Sequence, residues 1–126
     1  MIVRISGKLS EVGQASAVLE RDGMGYEVAV PAYAREELVG RIGQQITLHT
    51  FQYIEGSAVG ANLYPRLVGF LSEADRAFFL EFIKVKGLGV KKALRAFAKP
   101  ASWIAAVIEQ GDVKLLATLP EVGKRS

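Results

Sequence analysis

Two stretches of this chain combine glycine, a short hydrophobic step and basic residues at a spacing suited to holding phosphate. The first is Ile83-Lys84-Val85-Lys86-Gly87-Leu88-Gly89-Val90-Lys91-Lys92-Ala93, and the second is Leu119-Pro120-Glu121-Val122-Gly123-Lys124-Arg125. Each reads as a short helix, a hydrophobic-Gly hairpin, and a second helix with cations in its first turn. Glycine allows a positive φ and the close approach of another backbone. A helix N-terminus offers unpaired amide donors and the positive end of the helix dipole. Lys91 and Lys92 in such a first turn oppose the dipole by ~0.3–1 kcal/mol each. Helix stability alone would favour Asp or Glu there, and an incoming phosphate would offset the cost. The bland alternative, a Gly-rich turn with solvated lysines, loses weight because the pattern occurs twice. Amides and lysines read phosphates rather than base edges. The expectation is therefore nucleic-acid binding with little sequence preference and strong salt dependence.

The charge distribution points the same way. The 126 residues carry 16 Lys+Arg and 13 Asp+Glu, a net charge of +3. Residues 1–64 hold five Lys/Arg against seven Asp/Glu, net −2, and residues 65–126 are net +5. Lys84, Lys86, Lys91, Lys92, Arg95 and Lys99 fall in one window without an acid. Such asymmetry suits a polyanion partner for the second half.

Other chemistries find little support. With no cysteine and one histidine, His49, there is no disulfide framework, thiol nucleophile or thiolate zinc site. No nucleophile–base constellation is visible. Gly87-x-Gly89 lacks the Gly-Lys-Ser/Thr sequel of a nucleotide-binding phosphate loop. No catalytic residue, metal site or cofactor is expected. No run approaches the ~18–20 apolar residues of a membrane span, and Met1-Ile2-Val3-Arg4 does not open a secretory leader.

The elements that must position the basic hairpins divide at about residue 64. In the first part, Val3 to Leu9, Ala15 to Arg21, Tyr26 to Val30, Gln45 to Ile54 and Leu63 to Phe70 read as five short strands. Asp22-Gly23 marks a hairpin turn, and Ala32 to Val39 is helix-like. Five short strands in so few residues suit a small closed barrel, of OB or SH3-like type. In the second part, Ser72 caps a helix with Asp75 at its third position, and Ala74, Ala77, Phe78, Phe82 and Ile83 recur at helical spacing. Val90 to Ala98 and Ala101 to Gln110 continue as helices, and Asp112 caps a shorter one. His49 reads as a strand residue without a catalytic part. Trp103, Phe78, Phe79 and Phe82 read as core, and Glu36-Glu37 as a solvated pair. Phe51 and Tyr53 could stack bases but more simply pack against the barrel.

At this point the chain resembles the RuvA family of Holliday-junction-binding subunits over nearly its whole length. Met1-Ile2-Val3-Arg4-Ile5-Ser6-Gly7 is similar to the family's opening, and Gly23-Met24-Gly25-Tyr26-Glu27-Val28 to its second hairpin. The two basic stretches are similar to its two helix-hairpin-helix motifs. The resemblance implies a two-domain layout: a five-stranded OB-fold barrel over 1–64, then a tandem helix-hairpin-helix DNA-binding domain over 65–126. It implies a cytoplasmic, non-catalytic homotetramer that holds four-way junctions open in recombination and repair. Branch migration would be driven by a hexameric RuvB-type ATPase, recruited through a third domain beyond Ser126. Phosphate contacts would map to Gly87, Leu88, Gly89, Val122 and Gly123, supported by Lys84, Lys86, Lys91, Lys92, Lys124 and Arg125. Alternative readings are a generic hairpin module of a DNA-processing enzyme, or an interaction module with weakened DNA binding.

Three departures from the family pattern stand out. Glu121 occupies a position where the family usually has glycine, and a carboxylate near a phosphate is repulsive by on the order of 1 kcal/mol at ~4 Å in water. The second hairpin is therefore expected to be the weaker site. The tip between the last two strands carries one acid, Glu55, where the family has an acidic pair, the pin that repels phosphates at the crossover. Glu55 is the pin candidate. Finally, the chain stops inside the second motif, so the expectation is junction binding without coupling to the motor.

Overall fold

The computed structural model of the chain describes residues 1–56, 62–86 and 89–99. Five strands, β1 (Arg4–Val12), β2 (Ser16–Arg21), β3 (Met24–Ala29), β4 (Gln45–Glu55) and β5 (Tyr64–Phe70), close into a barrel in the order β1-β2-β3-β5-β4. β3 and β5 meet in parallel through Ala29 and Val68, and the other neighbours are antiparallel. A helix, α1 (Ala32–Val39), sits in sequence between β3 and β4. This is the OB arrangement rather than an SH3-like one. The expected division at residue 64 falls on the first residue of β5, so the barrel itself runs on to Phe70.

Local chemistry explains the path. Asp22 and Gly23 both take positive φ, 52° and 79°, which is the two-residue turn whose twist matches an antiparallel ribbon. β1 serves two neighbours, pairing β2 at its far end and β4 at its near end. A register shift between Leu9 and Glu11 bends it from one to the other. Pro31 precedes α1 in extended conformation, and Ala34 and Leu38, one turn apart, are buried at the barrel's end. Arg35 Nε donates to the Gly13 carbonyl at 2.8 Å and fastens α1 to the β1–β2 turn.

Two cores result. The barrel interior is aliphatic: Ile5, Leu9, Leu19, Val28, Val30, Ile46 and Leu48 join Ala34 and Leu38 of α1. The second core lies on the outer face of β4 and β5. There Phe51, Val68 and Phe70 meet α2 (Glu73–Lys86) and α3 (Val90–Ala96) through Phe79, Ala93, Leu94 and Phe97. Phe51 is therefore buried under the helices, not in the barrel interior. Phe97 lies against the rings of Tyr33, Phe70, Phe78, Phe79 and Phe82, with centroids 5.5 to 6.5 Å away.

Polar ties cross the same seam. Arg76 Nε donates to the Thr50 carbonyl at 2.6 Å, and the Tyr33 amide donates to the Phe97 carbonyl at 3.2 Å. His49 Nδ1 stands 3.5 Å from Glu73 Oε2, a structural contact between β4 and α2. The Tyr33 hydroxyl donates to the Asp75 carboxylate. Burial, then this carboxylate, push the Tyr33 phenol far above its ordinary range.

The start of α2 follows its sequence signal, since the Asp75 amide donates to Ser72 Oγ at 3.1 Å. Its apolar stripe is shifted from the expected one. Ala74 and Ala77 are exposed, Phe79 is fully buried, and Asp75 is itself buried toward Tyr33. An acid at a helix start was readable as a cap, but its second use required knowing that α1 lies opposite. Among the described residues no helix is long and apolar enough to cross a membrane, and no three acidic or histidine side chains gather as metal ligands.

Candidate nucleic-acid interface

The first basic hairpin is carried by α2 and α3, which the aromatic core clamps onto β4 and β5. The hydrophobic residues of the motif face inward: Ile83 and Val90 are half-buried, and Ala93 and Leu94 are buried. Lys84, Lys91 and Lys92 are thereby left outside. Lys84 lies near the end of α2, largely exposed, with Glu81 Oε1 3.6 Å away one turn back. Lys86 is the last residue of α2. Lys91 and Lys92 occupy the first turn of α3, as expected, with no acid in that turn. Gly87, Leu88, Glu121, Val122, Gly123, Lys124, Arg125 and Trp103 lie outside the described residues, as do the helices expected after Ala98.

Gly89 is the N-cap of α3, and no side chain caps the helix. Its φ of −67° and ψ of 157° are extended values open to any residue, and a Cβ placed there meets nothing within 4 Å. Among the described residues nothing requires glycine at this position. A positive φ is therefore not the reason for glycine here.

The cost of cations at the start of α3 is met in a way the linear sequence hides. Lys91 Nζ forms an ion pair with Glu55 Oε1, so an internal carboxylate already faces this lysine. Glu55 is the last residue of β4, and its other oxygen accepts from Arg66 Nε on β5 at 2.5 Å. Arg66 also lies 3.7 Å from Glu27 Oε1 on β3 and 5.7 Å from the Tyr64 ring centroid. Lys91, then Arg66, hold the Glu55 carboxyl below the usual carboxylate range. Partial burial, then the Glu55 charge, raise the Tyr53 phenol. Glu27, Tyr53, Glu55, Arg66, Lys91 and Arg95 line a cleft of about 560 Å³ between the barrel and α3. Glu55, the candidate pin, thus points at two cations of its own chain. Lys92 is exposed and makes no ion pair among the described residues.

Residues 1–64 match the family described as the RuvA N terminal domain. The chain is 47% identical, over 98% of its length and 59% of the relative's, to the Holliday junction branch migration complex subunit RuvA of Rhodopirellula baltica. It is 35% identical to the subunit of the same name from Chromobacterium violaceum and 32% to that from Treponema denticola, in each case over its full length. Those alignments cover 61% and 60% of the two relatives. The chain thus spans about three-fifths of the curated relatives it matches. The barrel with its following helices, and the match over the barrel residues, make this chain a member of the RuvA family.

Proposed function

We propose that this chain is the DNA-holding part of a branch-migration subunit. It binds four-way junctions without bond chemistry of its own, through phosphate contacts at its hairpins. The observation that carries the reading is the placement of the first motif. Ile83, Val90, Ala93 and Leu94 are consumed by the aromatic core, Lys84 is left exposed near the end of α2, and Lys91 and Lys92 are left on the uncapped first turn of α3 beside Gly89. The names of the relatives supply the substrate class, a Holliday junction.

In this reading Lys84, Lys86, Gly87, Leu88, Gly89, Lys91 and Lys92 form one phosphate site. Val122, Gly123, Lys124 and Arg125 form a second, weakened by Glu121. Four copies arranged around one junction would hold its arms apart in the cytoplasm, and a hexameric ATPase would move the crossover.

The test is a gel shift of a four-way junction and a linear duplex across a salt series. Preference for the junction, with affinity falling steeply as salt rises, supports the reading. Equal affinity for both favours a generic hairpin module, and no binding sinks the proposal. Gly89→Val should weaken junction binding about tenfold or more by displacing a backbone–phosphate contact. A Cβ at this position meets nothing within 4 Å among the described residues, so the loss of thermal stability should be limited to the poorer N-cap residue, about 1 kcal/mol.

A further inference from the structure

The ion pairs at the base of the β4–β5 hairpin have a consequence for how that DNA site works. Glu55 uses both carboxylate oxygens internally, one toward Arg66 and one toward Lys91. Its side chain is only 22% exposed, whereas that of Lys91 is 68% exposed. The two partners differ in freedom. Glu55 and Arg66 project from neighbouring strands, two positions apart in register, with Glu55 opposite Tyr64. Lys91 reaches them from α3 on a flexible four-carbon stem, with a point charge that re-aims at small cost.

We propose that Glu55 is an internal stand-in for a DNA phosphate. Its carboxylate occupies Lys91 in the free protein, and an incoming phosphate must take the lysine from it. Glu55 then stays with Arg66, and Lys91 swings outward. This goes beyond the family's acidic pin, in which an acid repels DNA directly. Here the acid acts through the lysine it holds, and it sets the affinity and salt dependence of the first hairpin. The proposal rests on the DNA-binding reading above.

Two quantities follow. An ion pair whose lysine is largely exposed is weak, so losing the competition should tighten binding by only about threefold to fivefold per engaged subunit. A lysine freed from its carboxylate neutralises a phosphate in full, so the slope of log K against log[salt] should steepen by up to about 0.9 per subunit.

The experiment measures binding of the whole chain to a labelled linear duplex and a four-way junction over a salt series. It compares wild type, Glu55→Gln, Lys91→Gln and the double variant. Glu55→Gln is expected to tighten both complexes and Lys91→Gln to weaken them. In the Lys91→Gln background, Glu55→Gln should have no further effect. If Glu55→Gln tightens binding equally in both backgrounds, the acid acts on DNA directly and the proposal falls. If wild type binds and Glu55→Gln binds no differently, the proposal falls alone. If no form binds either DNA, the DNA-binding reading falls and takes this one with it. A second readout needs no variant. The Glu55 carboxyl, followed by NMR, should titrate at higher pH once duplex is added, because Lys91 has left it. An unmoved midpoint in a chain that binds overturns the exchange.

Discussion

The two cores of this molecule are built from different residues for different tasks. The barrel interior is filled by Ile5, Leu9, Leu19, Val28, Val30, Ile46 and Leu48, without a single aromatic ring among its fully buried members. The seam between barrel and helices is built around Phe51, Phe70, Phe79 and Phe97, with Phe78, Phe82 and Tyr33 around them. A narrow barrel leaves room only for side chains of aliphatic size. Gly69 shows how tight that room is: a Cβ on it would lie 2.7 Å from Val28 Cγ1 and 3.1 Å from Leu48 Cβ. The seam joins a curved sheet face to two helices, and large rings span such a gap where aliphatic groups would leave voids. The barrel therefore shapes the scaffold, and the seam aims the basic hairpin.

Breaking the seam should separate the two tasks. Phe97→Ala removes the ring that meets five others and should cost about 3–5 kcal/mol. Because Phe97 follows α3 directly, denaturation should show helical signal lost ahead of barrel signal, with DNA affinity falling alongside the helices. A single coincident transition would mean the two cores form one cooperative unit.

Overpacking the barrel is the complementary disturbance and should be smaller. Gly69→Ala is expected to cost about 1–3 kcal/mol in urea unfolding. Val28→Ala on the same chain should recover part of that loss, since Val28 Cγ1 is the nearest atom to the new methyl. Added losses in the double variant would place the strain elsewhere.

The smallest effect sharpens the polar side of the seam. The Tyr33 phenol is held neutral, with its pKa raised above the ordinary 10.0, by burial and by the Asp75 carboxylate. Folding stability from this group is intact below pH about 10 and declines as pH rises further, because the unfolded chain ionises first. Tyr33→Phe should cost about 1 kcal/mol at neutral pH and reduce the stability loss seen above pH 10. An alkaline limb as steep as in wild type would show that Tyr33 is not its source.

Much of the scaffold was legible because strand and turn signals are local. Alternation in Tyr26–Val30 and the Asp22-Gly23 turn each depend on a few neighbouring residues, as does the Ser72–Asp75 cap. Phe51 was harder. It was expected to pack against the barrel, and only the helices packed against β4 show that it is buried beneath them on the outer face. Asp75 reads in the sequence as the third-position acid of a helix capped by Ser72, and it becomes a hydrogen-bond partner of Tyr33 when α1 and α2 are brought together. The lysines of the first hairpin were legible as a cationic turn opposing the helix dipole.

The sequence by itself determined the order of the described strands and helices and the gathering of cations at the hairpin, since each follows from residue type at short spacing. Only the tertiary structure decided that Lys91 has a partner. Glu55 and Lys91 are far apart in the chain, and they meet because barrel closure brings β4 beside β5 while the aromatic seam lays α3 across them. Charge pairing over such a distance leaves no period in the sequence. It depends on the packing of residues that carry no charge at all.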